Sequence, residues 1–298
     1  MSETEREAYK KQLKDYYDRQ AAVYHTAYTG EQGRYPTARH RMEICLTLVD
    51  QIEPRPQTIL DAGCGDARMV VELNKRGYQC TGFDVSDGLL DLGRKHLKDA
   101  GLPETLISTG DIYKIPAADK SVDVVMSLGV MENLDDHEAI FKEFHRILRP
   151  GGRILVSLDN HLFSLMTFNQ HTVGFFKSLF EDIDIPQEAR NNVLRKIAGW
   201  MNIDDVQQID RIIEDRQIDR KAVKLPVYHR LNVDDEFRRN GFRPDRLRFC
   251  HVHPLPPRFE KEYPELFGAF AEKLETPEYK WQNTLLCNCM IVQAVVDE

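Results

Sequence analysis

The chain has no apolar run long enough to cross a bilayer, which takes about 20 consecutive apolar residues. Its first residues, Met1-Ser2-Glu3-Thr4-Glu5-Arg6-Glu7, lack the apolar stretch of a signal peptide. A cytoplasmic location without membrane association is therefore expected. Basic excess is missing too: 40 Lys and Arg stand against 48 Asp and Glu, a formal net charge of −8. Non-specific nucleic-acid binding needs a basic face to displace counterions, so DNA or bulk RNA is not expected as a partner. The six cysteines (Cys45, Cys64, Cys80, Cys250, Cys287 and Cys289) include no C-x-x-C pair. They read as reduced, mostly buried small side chains. Cys287 and Cys289 share a strand face, but two thiols alone do not hold a metal, and none is expected. There is no Gly/Ser linker, low-complexity tract or internal repeat. The 298 residues, 42% hydrophobic and 30% charged, suffice for one large core plus an accessory segment.

What the chain does have is Thr58-Ile59-Leu60-Asp61-Ala62-Gly63-Cys64-Gly65-Asp66-Ala67-Arg68. A short β-prone run ends in an acid, two glycines follow at alternate positions, and a helical pattern with Val70, Val71 and Leu73 begins. This reads as a buried parallel strand, a tight turn and a helix start. Gly63 and Gly65 allow the backbone to bend and a ligand to approach it closely. Asp61 falls at the strand's carboxyl end, the edge where open α/β sheets bind ligands. The next strand, Gln79-Cys80-Thr81-Gly82-Phe83-Asp84, ends in an acid nineteen residues after Gly65, where a ribose hydroxyl pair would be held. A nicotinamide dinucleotide fits less well. Its fingerprint wants Gly or Ala at the sixth position of G-x-G-x-x-G, which is Arg68 here, and Asp61 suits a cationic ligand better than a pyrophosphate.

These residues resemble the Rossmann-like (class I) S-adenosylmethionine (SAM)-dependent methyltransferases. Asp61 to Ala67 resembles the family's first motif, with Ala67 where many members carry a third glycine. Asp84 matches its ribose-binding acid, and Gly110-Asp111-Ile112 the segment flanking the adenine. Ser121 to Ser127 resembles the fourth strand, and Leu148-Arg149-Pro150-Gly151-Gly152 to Val156 the turn into the fifth. Tyr16 to Tyr24 resembles an amino-terminal segment that folds over the cofactor, with Tyr17 and Tyr24 seven apart and so on one helix face. The resemblance implies SAM as cofactor and S-adenosylhomocysteine as product. The cofactor-binding residues it implies are Tyr17, Tyr24, Asp61, Gly63, Cys64, Gly65, Asp84, Val85, Asp111, Ile112, Ser127 and Leu128.

Strand and helix alternate along the middle of the chain: strand 58–61, helix 67–75, strand 79–84, helix 86–99, strands 105–108 and 122–128, helix 136–148, strand 153–159. Two amino-terminal helices, 5–28 and 37–51, come before. Ser86 is a candidate N-cap, Gly77 a helix stop, and Asp135 with Glu138 a capping-box-like start. The expected fold is α/β: a doubly wound, mostly parallel sheet with helices on both faces. In the resembled family a last antiparallel hairpin makes it seven-stranded. Residues 160–227 break the alternation with an aromatic-rich segment (162–180), a helix after Pro186 and another at 204–221. They read as a helical cap inserted after the fifth strand. The expected units are 1–57 (amino-terminal helices over the cofactor), 58–159 (core), 160–227 (substrate cap) and 228–298 (end of the core: helix 233–240, strand 246–253, helix 259–274, strand 285–296).

Methyl transfer from a sulfonium needs alignment and exclusion of water, and an oxygen acceptor must also lose a proton. Histidine is the usual base near neutral pH. His161, directly after the fifth strand, and His229, at the return from the cap, are the first candidates. His25 and His171 come next. His251 and His253 could share a strand face without an evident third metal ligand. After the fourth strand, Leu128-Gly129-Val130-Met131-Glu132-Asn133-Leu134 lacks the Asn/Asp-Pro-Pro-aromatic motif of nucleic-acid amino-methyltransferases. It has Glu132-Asn133 where many small-molecule members have Glu-His. The expected partner is a small metabolite or sugar-like acceptor, methylated on oxygen or, as the second choice, nitrogen, with the protein a monomer or homodimer. A protein or RNA methyltransferase and a non-catalytic SAM-binding protein are the alternatives.

Overall fold

The computed structural model describes residues 3–24, 28, 37–180, 183, 186–201, 203, 226–253, 255–260, 262–276, 278 and 280–297, the side chains of 3–5 and 22–24 excepted. Helices α1 (Glu3–Tyr24) and α2 (Thr37–Asp50) precede the alternating core. The core runs β1 (Thr58–Ala62), α3 (Arg68–Lys75), β2 (Gln79–Asp84), α4 (Asp87–Asp99), β3 (Ile107–Thr109), β4 (Val122–Ser127), α5 (His137–Ile147) and β5 (Leu148–Asp159). Helices α6 (Gln170–Ser178) and α7 (Gln187–Trp200) follow. The chain then returns through α8 (Val233–Arg239), β6 (Phe242–Val252), α9 (Pro264–Leu274), the short α10 (Asn283–Leu286) and β7 (Cys287–Val296).

The seven strands form one sheet in the order β3-β2-β1-β4-β5-β7-β6. The first five run parallel, and β7 lies antiparallel between β5 and β6. This is the doubly wound, seven-stranded sheet with a final antiparallel hairpin expected from the sequence. Its central strands are buried on both faces, so alternate residues feed two separate cores. Leu60, Val125, Ile154 and Val156 join Phe83, Phe141 and Phe144 on one side. Ile59, Val124, Met126 and Leu155 join Leu48, Val70 and Leu90 on the other. Each such side chain contributes roughly 1.5–3 kcal/mol of transfer free energy.

The carboxyl ends of β1, β2 and β4 therefore lie side by side, with Asp61 opposite Gly82 and Met126. Ser86 caps α4, its Oγ accepting the Leu89 N–H at 3.1 Å. Gly77, at φ 81°, stops α3. The capping acid of α5 is Asp136, not Asp135: its carboxylate accepts the Ala139 N–H at 3.0 Å. Asp135 instead accepts the Tyr113 hydroxyl at 2.7 Å, a long-range contact that adjacent acids in a sequence cannot reveal. The third strand begins at Ile107 and not 105, because a 3-10 turn, Glu104–Leu106, takes its first residues. Strands β5 and β6 start earlier than expected, at Leu148 and Phe242, each across a register shift. The last strand starts later, at Cys287, since Asn283–Leu286 is helical.

After β5 a 3-10 turn, His161–Met166, leads into α6, whose Asn169 cap accepts the His171 N–H at 2.9 Å. Helices α6 and α7 close a small separate core of Val173, Leu194 and Ala198. The helix expected at 204–221 and His25 lie outside the described residues.

Candidate functional site

The turn after β1 is a backbone knot. Gly63 and Gly65 have φ of 86° and 52°, and Ala67 has φ 60° at the start of α3. The left-handed conformation costs a residue with a Cβ roughly 1–2 kcal/mol, so Ala67 stands where glycine would be easier. The N–H groups of Gly63 and Cys64 both donate to the Phe83 carbonyl at 2.9 Å. The Gly65 N–H donates to Asp84 Oδ2 at 2.8 Å, and the Ser86 N–H to Asp84 Oδ1 at 2.9 Å. A Cβ on Gly63 would come within 2.4 Å of Val130 Cγ2.

Above this knot opens a cleft of about 760 Å³ of empty space. It is lined by Gly63 and Gly65 of the bend, by Asp84, by Asp111, Ile112 and Tyr113, and by Leu128, Gly129 and Val130. Lys10, Leu13 and Tyr17, at helical spacing on α1, line it as well. Helix α1 is fastened across it. Lys10 Nζ pairs with Asp111 at 2.6 Å, and the Tyr9 hydroxyl donates to the Asn133 carbonyl at 2.8 Å. Asp18 accepts from the Ser86 hydroxyl at 2.6 Å and the Gly88 N–H at 2.9 Å, at the positive end of α4.

A second recess, about 390 Å³, adjoins the first and shares Gly63 and Leu128 with it. Its other lining residues include Tyr28, Arg41, Asp61 and Cys64. Asp61 is 3% exposed. Burial, then the charges of Asp84 and Asp66, push its carboxyl up to about 7. Burial also raises Asp84, against the pull of the Ser86, Gly65 and Val85 N–H groups. Two neighbouring carboxyls with raised proton affinity favour a ligand that is cationic near Asp61 and donates hydroxyls to Asp84.

The structure brings most of the expected binding residues together. Tyr17, Gly63, Gly65, Asp84, Val85, Asp111, Ile112 and Leu128 line the cleft, and Asp61 and Cys64 line the recess. Ser127 does not line either. It is fully buried and its hydroxyl donates to the Ala62 carbonyl at 3.1 Å, holding β4 to the end of β1. The Tyr24 side chain lies outside the described residues. His161 and His229 come near each other but line neither cavity. Burial lowers the proton affinity of both, and His229 lowers His161 further. The His161 ring lies 5.0 Å from that of Phe175, and His229 Nδ1 accepts the Leu231 N–H at 3.2 Å. Sequence reasoning did not pick out Lys10, Leu13, Arg41 or Tyr113. The spacing of residues 10, 13 and 17 was the available signal for the first two.

One set of ligand-type atoms does converge among the described residues: those of His40, Cys250 and Glu275, within 4.8 Å of one another. Glu275 pairs with His40 Nδ1 at 2.7 Å and accepts the Val252 N–H at 2.7 Å. Its carboxylate charge is thus matched inside the protein. The rings of His251 and His253 lie 4.6 Å apart, and His251, at φ 58°, breaks the strand alternation.

Residues 60–156 match a protein-family profile described as a methyltransferase domain. Among curated proteins, a demethylmenaquinone methyltransferase of Mycobacterium sp. (strain KMS) is 37% identical over 116 residues, 39% of this chain and 46% of that protein. One of Listeria welshimeri is 32% identical over 100 residues, 32% of this chain and 42% of that protein. The chain thus spans less than half the length of the curated relatives it matches. Among solved structures, a chain from the complex between a Haloferax volcanii methyltransferase activator and a methyltransferase superposes with a TM-score of 0.54 at 16% identity, over 95% of this chain and 98% of that one. A SAM-dependent methyltransferase from Thermotoga maritima gives 0.50 at 14% identity, over 94% and 98%. At these identities the structural likeness is one of fold.

Proposed function

We propose that the chain, whose residues 60–156 match a methyltransferase-domain profile, moves a methyl group from SAM to the hydroxyl oxygen of a small acceptor. The observation that carries this reading is the carboxylate pair at the β1 and β2 ends. Asp84, fixed by two backbone N–H groups, is set to accept the ribose hydroxyls. Asp61, buried beside the bend, is set to face the cationic methionyl end. Asp111, Ile112 and Tyr113 would flank the adenine, with Tyr17 and Leu13 of α1 above it. Recognition of this kind needs neither a metal nor a side-chain nucleophile. The protein supplies alignment, which is worth roughly 7–11 kcal/mol in favourable intramolecular models.

The acceptor is read as small because the cleft is covered by α1 and the acid balance disfavours polyanions. The curated relatives are named for demethylmenaquinone, so a quinol-type acceptor is the first to try. The test is transfer of label from methyl-tritiated SAM to demethylmenaquinol and to simple phenols, followed in the extracted product. Label recovered as an O-methyl ether supports the reading, and label on a ring carbon would reject oxygen as the acceptor atom. Labelled protein or RNA in place of labelled small molecule would reject the acceptor class.

A further inference from the structure

Three donor side chains of different chemistry converge where α2, β6 and the end of α9 meet. His40 comes from α2, Cys250 from β6, and Glu275 is the residue that closes α9. They are far apart in sequence, and no local spacing announces them. Their ligand-type atoms lie within 4.8 Å of one another. Within the set, His40 Nδ1 stands 2.7 Å from Glu275 Oε2 and 3.9 Å from Cys250 Sγ. A tetrahedral zinc ion with one nitrogen, one sulfur and one oxygen ligand holds those atoms roughly 3.3–3.6 Å apart. The His40–Glu275 gap would have to open, and the His40–Cys250 gap to close, by roughly half an ångström each. Side-chain torsions reach that far.

The surroundings hold the three in place. Cys250 is fully buried, on a strand where it pairs directly with Cys289 of β7. The Glu275 side chain is 2% exposed. Its Oε1 accepts the Val252 N–H at 2.7 Å, which orients the carboxylate as outer-shell hydrogen bonds do for metal ligands. Helix α9 ends at Glu275, and the carbonyl end of a helix favours a cation. His40, with a side chain 25% exposed, is the way in from solvent. Charge balances as well. Without a metal, a protonated His40 offsets the Glu275 carboxylate. With zinc, the His40 proton and the Cys250 thiol proton pass to solvent, and a neutral imidazole, a thiolate and a carboxylate hold the dication. The site is neutral in both forms, which is what buried charges require. Magnesium and calcium take oxygen ligands, so a thiolate beside an imidazole and a carboxylate selects zinc over them.

We propose that His40, Cys250 and Glu275 form a zinc site, with water in the fourth position. An ion shared by a helix, a strand and a helix end fastens the three together, so its binding free energy becomes folding free energy. The site stands apart from the cofactor cleft. Strand β6 is the outermost of the sheet, four strand spacings from β1, or about 19 Å at 4.8 Å each. Its link to the cleft runs through α2, which carries Ala38, Arg41 and Met42 into the lining of the recess. Holding His40 therefore fixes the helix that borders the recess. Zinc binding here does not depend on the methyl-transfer reading, and either can fail without the other.

The experiment strips the intact chain with a chelator under reducing conditions. It is then titrated with zinc against a competing chromophoric chelator, and separately with cobalt(II) followed by absorption. The expected result is a single equivalent of zinc per chain, a higher melting temperature with zinc, and a thiolate-to-cobalt charge-transfer band. His40→Gln, Cys250→Ser and Glu275→Gln should each weaken zinc binding at least about 100-fold, the upper end of what loss of an outer-shell partner costs. Cys250→Ser should also abolish the cobalt band. His145→Ala, which removes an exposed histidine elsewhere, should change neither. Glu275→Gln keeps the shape of the side chain and an oxygen for the Val252 N–H, so it carries the test if Cys250→Ser fails to fold. No zinc binding at high micromolar concentration, an unchanged zinc affinity in Glu275→Gln, or cobalt binding without the thiolate band each overturns the proposal.

Discussion

The Gly65 N–H donates to the Asp84 carboxylate at 2.8 Å, tying the bend after β1 to the end of β2 where both line the cleft. One carboxylate thus does two things. It fixes a backbone turn, and it keeps its remaining lone pairs for a diol. Asp84→Ala is expected to weaken SAM binding by roughly 1.5–3 kcal/mol, the loss of charge-assisted hydrogen bonds. Calorimetry on the variant checks it, and an unchanged affinity would remove Asp84 from the site.

Asp61 makes cofactor binding pH-dependent. Its carboxyl is raised to about 7 in the folded chain from an ordinary value of 3.8. Between those values the folded state holds a proton that the unfolded state has released. Stability of the free protein should therefore fall as pH rises from about 4 to about 7, by at most about 1.4 kcal/mol per pH unit. A cationic ligand favours the ionised form, so SAM should bind more tightly as pH rises through this window and release protons as it binds. Asp61→Asn should flatten both slopes. Melting temperatures and calorimetry in buffers of different ionisation heat measure them.

Gly63 has no room for a side chain. Its φ of 86° and the 2.4 Å approach of Val130 Cγ2 to a built Cβ act together. Gly63→Ala should cut cofactor affinity at least tenfold and lower the melting temperature. Gly101→Ala is the control: it has a φ of 71° but open space around its Cβ position. It should incur only the left-handed backbone term of roughly 1–2 kcal/mol and leave cofactor affinity unchanged.

The Lys10–Asp111 pair, 2.6 Å apart, fastens α1 across the cleft. It is partly exposed, so about 0.2–1 kcal/mol is a fair expectation for the pair. Lys10→Ala should weaken SAM binding two- to fivefold, chiefly through a faster off-rate. A double-mutant cycle with Asp111→Asn should recover the same coupling. Additive effects would mean that α1 closes the cleft without this contact.

The sequence made the core legible because each of its signals is local. Strand 79–84, the Gly63 and Gly65 bend, the Ser86 cap and the Gly77 stop each need only a few consecutive residues. The parallel order followed from alternation. Features that depend on distant partners were not legible. Lys10 meets Asp111 across 101 positions, and Arg41 reaches Glu132 only once α2 lies beside the β4 end. Asp135 and Asp136 are equivalent capping acids until Tyr113 takes the first of them. Histidine was the default base by chemistry; His161 and His229 sit beside aromatic and backbone partners and line neither cavity.

The most direct measurement is a calorimetric titration of the intact chain with S-adenosylhomocysteine and with SAM at pH 7.5, alongside NAD. One site per chain for each sulfur compound, SAM taking up the added cation beside Asp61 with proton release, and no heat with NAD, is the predicted result. No binding of either sulfur compound at high micromolar concentration, or saturable binding of NAD in their place, would contradict it.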